Sequence, residues 1–585
     1  MPPALPFDDS RRLTGSNLYF ADVGAVLETT GIAIDQALLG AWRERVRKMC
    51  AALGWPDAAV VAHLHASGAS LAFAAPLDQL LCATEVNEWA WLASLHGEGV
   101  FHAPGHAAAW DEASALHTLR ACARAEGDPG LIELVDAARA RGLTALIDDA
   151  TLSFGVGSGS RAWPLAALPP SAQEIEWDAL HDAPIALVTG SNGKTTTTRL
   201  LAACMRAHGW HTAYTCTDGV FVDGNTIAAG DYSGPAGART ALRAPGVDAA
   251  VLETARGGLL RRGLAVQHAN VAIVTNISDD HFGEYGVHDL DDLAAAKLIV
   301  ARALGTRGTL VLNAADALLV RHAAGIESEM AWFALDADAA MLVAHRARGG
   351  TTCGVRDGRL YLHRGGQDHD LGVIAAMPLS FGGKARYNIA NLAAAALAAS
   401  ALGIAPGLLR DVLARFGAAR EDNPGRLQRW QLDGVSVFLD YAHNPDGLRG
   451  LLDLAAPPSG GRRGLLLGQA GNRGDAEIRE LAAIAASVEP DFVVLKDVGG
   501  MLRGRAPGEV PALLRDELAR RGVHGTRVAE HLDEYEAVQA MLAWARAGDT
   551  LVLPVHGGTA RPKVVALLDA LQARGWRAGT PLPTT

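Results

Sequence analysis

The chain has 585 residues, of which 49% are hydrophobic and 20% charged, and its formal net charge is −12. Because this length exceeds what one hydrophobic core organises, we expect several globular, soluble domains. The acidic balance argues against a nucleic acid or an anionic membrane as the main partner.

Cysteine usage and the N-terminus predict a cytoplasmic protein. Six scattered cysteines show no CxxC or CxxH spacing, which favours reduced thiols over a disulfide framework or a zinc site. The first residues lack the basic start and apolar run of a signal peptide. The longest apolar stretch, residues 392–409, is interrupted by Ser400, Gly403 and Pro406, so we interpret it as a buried helix and not a membrane span.

Residues 1–170 form the first predicted domain, an α+β unit without a phosphate-binding signature. Its glycine-rich loop, residues 153–161, precedes no predicted helix, so a hairpin turn is favoured over phosphate binding.

A phosphate-binding loop opens the second predicted domain, residues 180–420. Residues 185–188 are a short apolar strand, residues 189–198 are TGSNGKTTTT, and a helical pattern follows until His208. Glycines in such a loop let backbone N–H groups approach an anion at the positive end of the helix. The strict motif has a glycine six residues before its lysine, where this chain has Val188, so the loop is a variant.

The loop supplies the first candidate site residues. Lys194 is expected to reach the β and γ phosphate oxygens of a nucleotide, and the Thr195 hydroxyl to ligate Mg²⁺. The candidate nucleotide-binding residues of the loop are Gly190, Asn192, Gly193, Lys194, Thr195 and Thr196.

Strands and helices alternate through the rest of this domain, which is the pattern of a parallel sheet covered on both faces. The carboxyl ends of parallel strands meet at one edge, where ligands collect. Glu253 and Asn276 end two predicted strands, and His281 follows the second. Glu253 is a candidate ligand of a divalent cation, and a neutral His281 can ligate the cation or position a phosphate oxygen.

Lys297 lies in a predicted helix, residues 289–304, among apolar neighbours. The sequence leaves two interpretations of it open. One is a functional lysine, and the other is a lysine that extends its ammonium group to the surface.

Residues 425–585 form the third predicted domain, a second alternating unit without a P-loop. Its first strand ends in the segment DYAHNP, residues 440–445, where an α/β sheet places ligand contacts. Arg426, at the junction of the two units, can reach phosphate bound in the neighbouring domain. The predicted fold class is therefore multidomain α/β, with a central P-loop parallel-sheet ATPase domain, a C-terminal Rossmann-like domain and an α+β N-terminal domain.

In order and spacing, these motifs resemble the Mur ligase superfamily. They are TGSNGKTT (189–196), Glu253, TNISDDH (275–281), Lys297, VLNAAD (311–316), GKARYNIANLAAA (383–395), NPGR (423–426) and DYAHNP (440–445). Residues 253–263, and residues 502–505 with Glu509, are similar to the ligase half of the cyanophycin synthetases. The chain is too short for the ATP-grasp domain of those enzymes, and residues 472–477 depart from the expected charged pattern, which leaves arginine-adding specificity open.

The resemblance implies an ATP- and Mg²⁺-dependent, ADP-forming ligase. The γ-phosphoryl group passes to a substrate carboxylate, and an amine captures the acyl phosphate as an amide. The implied partners are a small-molecule or peptide acceptor with a free carboxylate and an amino acid, in a possible homo-oligomer.

The resemblance also assigns roles by position. Lys194, Glu253, His281 and Lys297 are the implied catalytic residues. Thr195, Glu253 and His281 are the implied metal ligands, and Lys297 is carbamylated in many Mur ligases. The other implied nucleotide contacts are Asn276, Asn313 at the adenine, Arg426, Asp440, His443 and Asn444. Closure about residues 415–430 is expected to assemble the site.

Other functions remain open. The first alternative is another P-loop phosphotransferase or a GTPase. Guanine recognition would normally show an Asn-Lys-x-Asp segment, and no asparagine of this chain precedes a lysine. A catalytically weak, nucleotide-binding scaffold that partners a true cyanophycin synthetase is a second alternative, and a cell-wall or folate-type Mur ligase is a third. The sequence identifies neither the acceptor nor the amino acid.

Overall fold

The computed structural model describes residues 6–56, 58–96, 101–102, 109–279 and 282–582. The chain forms two compact units. The first comprises Met1–Ile277, Phe282–Leu371 and Ala390–Val412, and the second comprises Ser278–His281, Gly372–Ile389 and Leu413–Thr585. Both are α/β structures with large sheets, which confirms the predicted fold class.

The N-terminal part of the first unit is α+β, as predicted. A four-stranded antiparallel sheet in the order β1-β2-β4-β3 packs on helices α1 and α2, and a three-stranded antiparallel sheet, β7-β8-β9, follows. The elements are β1 (Phe7–Leu13), β2 (Gly24–Thr29), α1 (Gln36–Leu53), β3 (Val60–His65), β4 (Gly68–Ala74), α2 (Leu80–His96), β5 (Phe101–His102), β6 (Ala109–Trp110), α3 (Glu112–Glu126), α4 (Pro129–Ala140), β7 (Ala145–Ile147), β8 (Thr151–Phe154) and β9 (Arg161–Pro164). The glycine-rich loop joins the antiparallel strands β8 and β9, so the hairpin interpretation is confirmed.

An eleven-stranded sheet forms the rest of the first unit, in the order β13-β12-β11-β14-β10-β15-β16-β17-β18-β19-β20. Its strands are β10 (Ile185–Thr189), β11 (Thr212–Cys216), β12 (Gly219–Val222), β13 (Asn225–Ala229), β14 (Ala249–Glu253), β15 (Val271–Val274), β16 (Thr309–Asn313), β17 (Glu329–Phe333), β18 (Thr351–Arg356), β19 (Arg359–Arg364) and β20 (Gln367–Val373). Its helices are α5 (Lys194–Ala207), α6 (Pro235–Leu242), α7 (Arg256–Arg262), α8 (Leu290–Leu298), α9 (Ala317–Ala323), α10 (Ala340–Ala347), α11 (Arg386–Ala401) and α12 (Pro406–Leu413).

Seven central strands of this sheet, from β11 to β18 in spatial order, run parallel. Strand β10 is buried at every position, as expected for a strand covered on both faces. In register, Val188 of β10 lies beside Glu253 of β14 and Ile273 of β15. The carboxyl ends of β14, β10 and β15 therefore meet at one edge, where the phosphate-binding loop begins.

Helix α11 covers most of the alanine-rich stretch that the sequence presents as its longest apolar run. Residues 392–399 of this helix are all buried, so its interpretation as a buried helix is confirmed. In the part of the chain that the structure describes, no helix combines the length and apolarity that a membrane crossing needs.

The second unit contains a six-stranded sheet in the order β21-β22-β26-β23-β24-β25, in which all neighbours from β22 onward are parallel. Buried Leu465 and Leu466, adjacent on β23, belong to separate hydrophobic cores, so helices cover both faces. The elements are β21 (Gln428–Leu432), β22 (Val435–Asp440), α13 (Pro445–Leu454), β23 (Arg463–Leu467), α14 (Asp475–Ser487), β24 (Phe492–Leu495), α15 (Glu509–Arg520), β25 (Val528–Glu530), α16 (Glu534–Trp544), β26 (Thr550–Pro554) and α17 (Ala560–Ala573).

Candidate active site

The loop between β10 and α5 is shaped by two glycines that no other residue replaces without strain. Gly190 and Gly193 have φ values of +140° and +85°, in the region that favours glycine. A Cβ atom at Gly190 would lie 1.9 Å from Thr275 Oγ1, and one at Gly193 would lie 2.3 Å from Asn391 Oδ1. The backbone of the loop is therefore packed directly against polar side chains.

The end of strand β15 holds this loop in place. The Asn276 side chain accepts a hydrogen bond from the Asn192 N–H at 2.9 Å and donates one to the Asn192 carbonyl at 3.0 Å. Thr275 Oγ1 donates to the same carbonyl at 2.6 Å, and the Ser191 N–H donates to the Asn276 carbonyl at 2.9 Å. Asn276, predicted as a nucleotide contact, thus binds the backbone of the loop that carries Asn192.

Thr195 and Glu253 meet at the start of α5. Thr195 Oγ1 donates a hydrogen bond to Glu253 Oε2 at 2.8 Å and lies 3.2 Å from Thr217 Oγ1. Both Thr195 and Glu253 are buried. Two oxygens bound to one octahedral Mg²⁺ at 2.0–2.1 Å are separated by about 2.9 Å, so this hydroxyl–carboxylate pair fits two ligands of that ion.

The N-terminus of α5 and Lys194 fit a phosphate chain. The N-cap residue of this helix, Gly193, has no side chain to cap it, and the N–H groups of a first helical turn point outward from the helix end. The Lys194 ammonium donates hydrogen bonds to the carbonyls of Gly190 at 2.9 Å and Ser191 at 3.1 Å, so its charge lies over the loop. Positive charge and backbone donors thus converge where a nucleotide would place anionic oxygens.

Lys297 is a buried residue of α8, with 1% of its surface exposed. The interpretation of this lysine as one that extends to the surface is therefore wrong. Asn313 ends β16, where its amide nitrogen donates to the Thr275 carbonyl at 3.3 Å and its oxygen accepts from the Ala315 N–H at 3.0 Å. His281, a predicted catalytic residue and metal ligand, lies outside the described residues.

Arg426 and Asp440 meet around Tyr441 in the second unit. The Arg426 guanidinium lies 4.2 Å from the centroid of the Tyr441 ring. The Asp440 carboxylate accepts the Leu427 N–H at 2.6 Å. Burial raises the pKa of Asp440, and the nearby Arg426 charge opposes this rise.

His443 and Asn444 lie three and four residues after Asp440 in the same loop. Asn444 is fully buried, and its side-chain oxygen accepts the Gly447 N–H at 2.8 Å, so it caps helix α13. His443 is partly buried, and its Nδ1 lies 3.3 Å from the Tyr441 carbonyl oxygen. In this structure Asn444 therefore orients the helix that follows the loop.

Thr217, Thr275 and Arg561 also lie at these sites and were not predicted as site residues. Thr217 and Thr275 directly follow strands β11 and β15 at the carboxyl edge of the sheet, a signal that was available in the predicted strands, whereas Arg561 is the second residue of helix α17 and had no such signal. Arg561 donates to the His556 carbonyl at 3.2 Å, and its guanidinium lies 4.8 Å from the centroid of the Tyr441 ring. Arg561 and Arg426 therefore both contact one aromatic ring.

A buried polar network fixes the strand ends of the second unit. Lys496 pairs with Glu534, and its ammonium lies 3.0 Å from His556 Nδ1. His556 Nε2 lies 2.9 Å from the carbonyl oxygen of Ala442, next to the predicted site. Burial and the Lys496 charge lower the pKa of His556 well below its usual value, so the imidazole is neutral and Nε2 donates to that carbonyl. The network thus ties the ends of β22, β24 and β26 together.

Comparison with known proteins assigns most of the chain to one family. Residues 188–399 match the family model described as the Mur ligase middle domain. Residues 425–554 match the model described as the Mur ligase, glutamate ligase domain. Together the two matches cover more than half of the chain.

Named relatives agree with these matches. The chain is 34% identical over 370 residues to cyanophycin synthetase of Trichormus variabilis, which is 63% of this chain and 41% of that protein. It is 36% identical over 331 residues to cyanophycin synthetase of Synechocystis sp., 57% of this chain and 38% of that protein. It is 29% identical over 430 residues to UDP-N-acetylmuramoyl-L-alanyl-D-glutamate--2,6-diaminopimelate ligase of Corynebacterium efficiens, 70% of this chain and 74% of that protein.

The chain spans about two fifths of the length of the cyanophycin synthetases it matches. These two cyanophycin synthetases are identical to this chain at more than a third of the aligned positions. The two family models match both of its sheet-bearing α/β regions. The chain therefore belongs to the Mur ligase family.

Proposed function

We propose that this protein is an ATP-dependent, ADP-forming ligase that joins a substrate carboxylate to the amine of an amino acid. The pairing of Thr195 with Glu253 beside the Lys194 loop carries the proposal, because it combines a cation-binding pair with a phosphate-binding loop. Membership of the Mur ligase family and the similarity to cyanophycin synthetases support it.

We propose that ATP binds along the loop from Gly190 to Thr196, with Lys194 against its terminal phosphates. Thr195 and Glu253 would hold Mg²⁺, which supplies charge neutralisation as the phosphoryl group moves. Loop rigidity matters here, since the Asn276 side chain holds the backbone that faces the phosphates.

The proposed reaction has two steps. A carboxylate oxygen of the acceptor attacks the γ-phosphorus, the bond to the β-phosphate oxygen breaks, and ADP leaves. The amine of the amino acid then attacks the carbonyl carbon, loses a proton and expels phosphate, which keeps the oxygen from the carboxylate. The chain's residues orient the reactants and exclude water that would hydrolyse the acyl phosphate.

Further site roles extend the proposal. Lys297, carbamylated, and His281 would position a second Mg²⁺. Asn313 would contact the adenine. Arg426 and Asp440 would contact the nucleotide from the C-terminal domain, whose cleft His443 and Asn444 would line.

We propose domain boundaries of 1–170 for acceptor binding or assembly, 180–420 for ATP binding, and 425–585 for the C-terminal Mur ligase domain. The buried network of Lys496, Glu534 and His556 supports a rigid C-terminal site. We further propose a cytoplasmic protein that forms a homo-oligomer.

Phosphate release from ATP, screened over pairs of acidic acceptors and amino acids, tests the proposal. We expect release that needs both members of one pair and that falls at least a hundredfold in Lys194→Ala. The exposed Lys48→Ala variant is the matched control and should keep wild-type turnover. ATP binding without stimulation by any pair would overturn the proposal in favour of a nucleotide-binding scaffold.

A further inference from the structure

Two histidines and a serine from distant parts of the first unit meet at one point. His65 ends β3, Ser67 lies in the turn before β4, and His288 precedes α8. His65 Nδ1 is 3.1 Å from Ser67 Oγ and 3.3 Å from His288 Nε2, and Ser67 Oγ is 3.0 Å from His288 Nε2. Three atoms that can bind a metal thus form a nearly equilateral triangle.

The size of this triangle fits a tetrahedral metal ion. Two nitrogens that each lie about 2.0–2.1 Å from such an ion are about 3.3 Å apart, and the centroids of their rings are about 5.2 Å apart. The His65 and His288 centroids are 5.2 Å apart. A linear N–H···N hydrogen bond of 3.3 Å would separate the centroids by about 5.6 Å, so the observed 5.2 Å matches the metal-bound spacing more closely.

A buried carboxylate lies behind one of these histidines. His65 Nε2 is 3.7 Å from Glu28 Oε2, and the His65 side chain is 4% exposed. Glu28 is held in place by hydrogen bonds from Arg11 at 2.6 Å and Ser70 at 2.6 Å. A carboxylate on the far nitrogen favours the proton there, which leaves the Nδ1 lone pair directed at the triangle. Metal-binding histidines commonly donate a hydrogen bond to such a carboxylate, and at 3.7 Å the contact between His65 and Glu28 is electrostatic, beyond hydrogen-bond distance.

We propose that His65 Nδ1, His288 Nε2 and Ser67 Oγ bind one divalent transition-metal ion of the class of Zn²⁺ or Co²⁺, with water as fourth ligand. Ser67 is exposed, so solvent reaches the fourth position. In the part of the chain that the structure describes, no group of three or more His, Cys, Asp or Glu side chains is arranged to hold a metal. This site has two such residues and a hydroxyl, so it is weaker than a structural zinc site with four protein ligands.

The ion would join two segments that are far apart in sequence. The β3–β4 turn belongs to the N-terminal α+β part, whereas His288 leads into α8, the helix that carries Lys297. Neighbouring contacts already hold this region, since the Arg11 guanidinium lies 4.6 Å from the Tyr285 ring centroid. A bound metal would therefore add a cross-link between the N-terminal sheet and the segment that precedes a catalytic candidate.

Titration of the full-length, tag-free chain with Co²⁺ tests this proposal. Tetrahedral Co²⁺ with nitrogen ligands has an intense visible absorption that octahedral Co²⁺ at a nucleotide site lacks. We expect this band in the wild type, its displacement by Zn²⁺, and its loss in His65→Ala and His288→Ala. His363→Ala, on the surface hairpin of β19, should keep the band.

Substitutions at Ser67 test the site without removing a buried side chain, because Ser67 is exposed, so they should leave the fold intact. Ser67→Asp replaces the weakest ligand by a stronger one and should tighten Zn²⁺ binding at least tenfold, whereas Ser67→Ala should weaken it. No tetrahedral band in the wild type, or equal Zn²⁺ affinity in Ser67→Asp, Ser67→Ala and wild type, would overturn the proposal. So would crystals soaked in Zn²⁺ that show no anomalous peak between these three atoms.

Discussion

The hydroxyl of Thr195 has two roles in the proposed site. It donates to Glu253 at 2.8 Å, and it is the candidate Mg²⁺ ligand of the loop. Because Glu253 is buried beside it, loss of this donor leaves a buried carboxylate oxygen with fewer partners, at a cost of about 1.5–3 kcal/mol.

Thr195→Val keeps the shape of the side chain and removes the hydroxyl. We expect Mg²⁺-dependent affinity for ATP to fall roughly tenfold to a hundredfold, since both the hydrogen bond and the ligand are lost. Thr195→Ser keeps the hydroxyl and should bind within about threefold of wild type. Calorimetric titration with a non-hydrolysable ATP analogue, with and without Mg²⁺, measures this. Equal losses in both variants would refute the role of the hydroxyl.

Gly190→Ala introduces a steric conflict with the Thr275 side chain that packs against the loop. Its Cβ would lie 1.9 Å from Thr275 Oγ1, so the loop must move, and we expect nucleotide binding to be lost and stability to fall by about 2 kcal/mol or more. Gly209→Ala is the comparison, because its φ is +100° but no atom lies within 4 Å of the added Cβ. That variant should cost about 1 kcal/mol and retain binding, as measured by urea unfolding and the same titration.

Among the elements of the first unit, strand β15 supports the phosphate-binding loop through the two residues that follow it, Thr275 and Asn276. Asn276 makes two hydrogen bonds to Asn192, so in the proposed function it would act on the nucleotide through the loop backbone. This explains why an asparagine at a strand end matters even where it contacts no phosphate itself.

Asn276→Asp tests this support. The acceptor for the Asn192 N–H remains, but the donor to its carbonyl becomes an oxygen that repels it. We expect faster amide hydrogen exchange in residues 190–193 and weaker nucleotide binding, by about tenfold. Asn225→Ala, on the exposed strand β13, should change neither quantity. Unchanged exchange in the loop of Asn276→Asp would contradict the supporting role.

Several elements were predictable because one local signal determined them. Residues 185–188 are apolar throughout because β10 is buried on both faces, and the pattern of α5 ends at its observed cap, His208. The edge strands β13 and β20 were not predicted, since partly exposed edge strands lack such a run.

At the candidate site, the burial of Lys297 depends on tertiary packing, which the local sequence does not reveal. Whether Lys297 extends to solvent depends on residues that cover α8, and these come from elsewhere in the chain. The helix-capping role of Asn444 did have a local signal, because an asparagine directly before a proline is typical of a helix start.

The buried imidazole of His556 makes the stability of the whole molecule depend on pH. Burial first, and then the Lys496 charge, lower the pKa of His556 well below 6.5. Below about pH 6.5 the unfolded chain therefore binds a proton that the folded chain does not. The free energy of unfolding falls as pH falls, by up to about 1.4 kcal/mol per pH unit from this group.

His556→Asn should remove this contribution. We expect the variant to be less stable than wild type at pH 8, where a hydrogen bond of the buried network is lost, but to lose less stability between pH 6.5 and 5. His345, whose pKa burial also lowers, remains in both proteins, so the difference between the two slopes reports His556. Urea unfolding at several pH values measures this, and parallel slopes would contradict a neutral, buried His556.

The proposed function requires that a carboxylate of the acceptor is phosphorylated before an amine captures it. An acceptor labelled with ¹⁸O in its carboxylate, incubated with ATP and the amino acid partner, measures this step directly. We predict that one ¹⁸O atom appears in the released phosphate, together with the amide product, and that both disappear in Lys194→Ala. Release of unlabelled phosphate only, or no amide from any acceptor pair that the protein binds with ATP, would contradict the account.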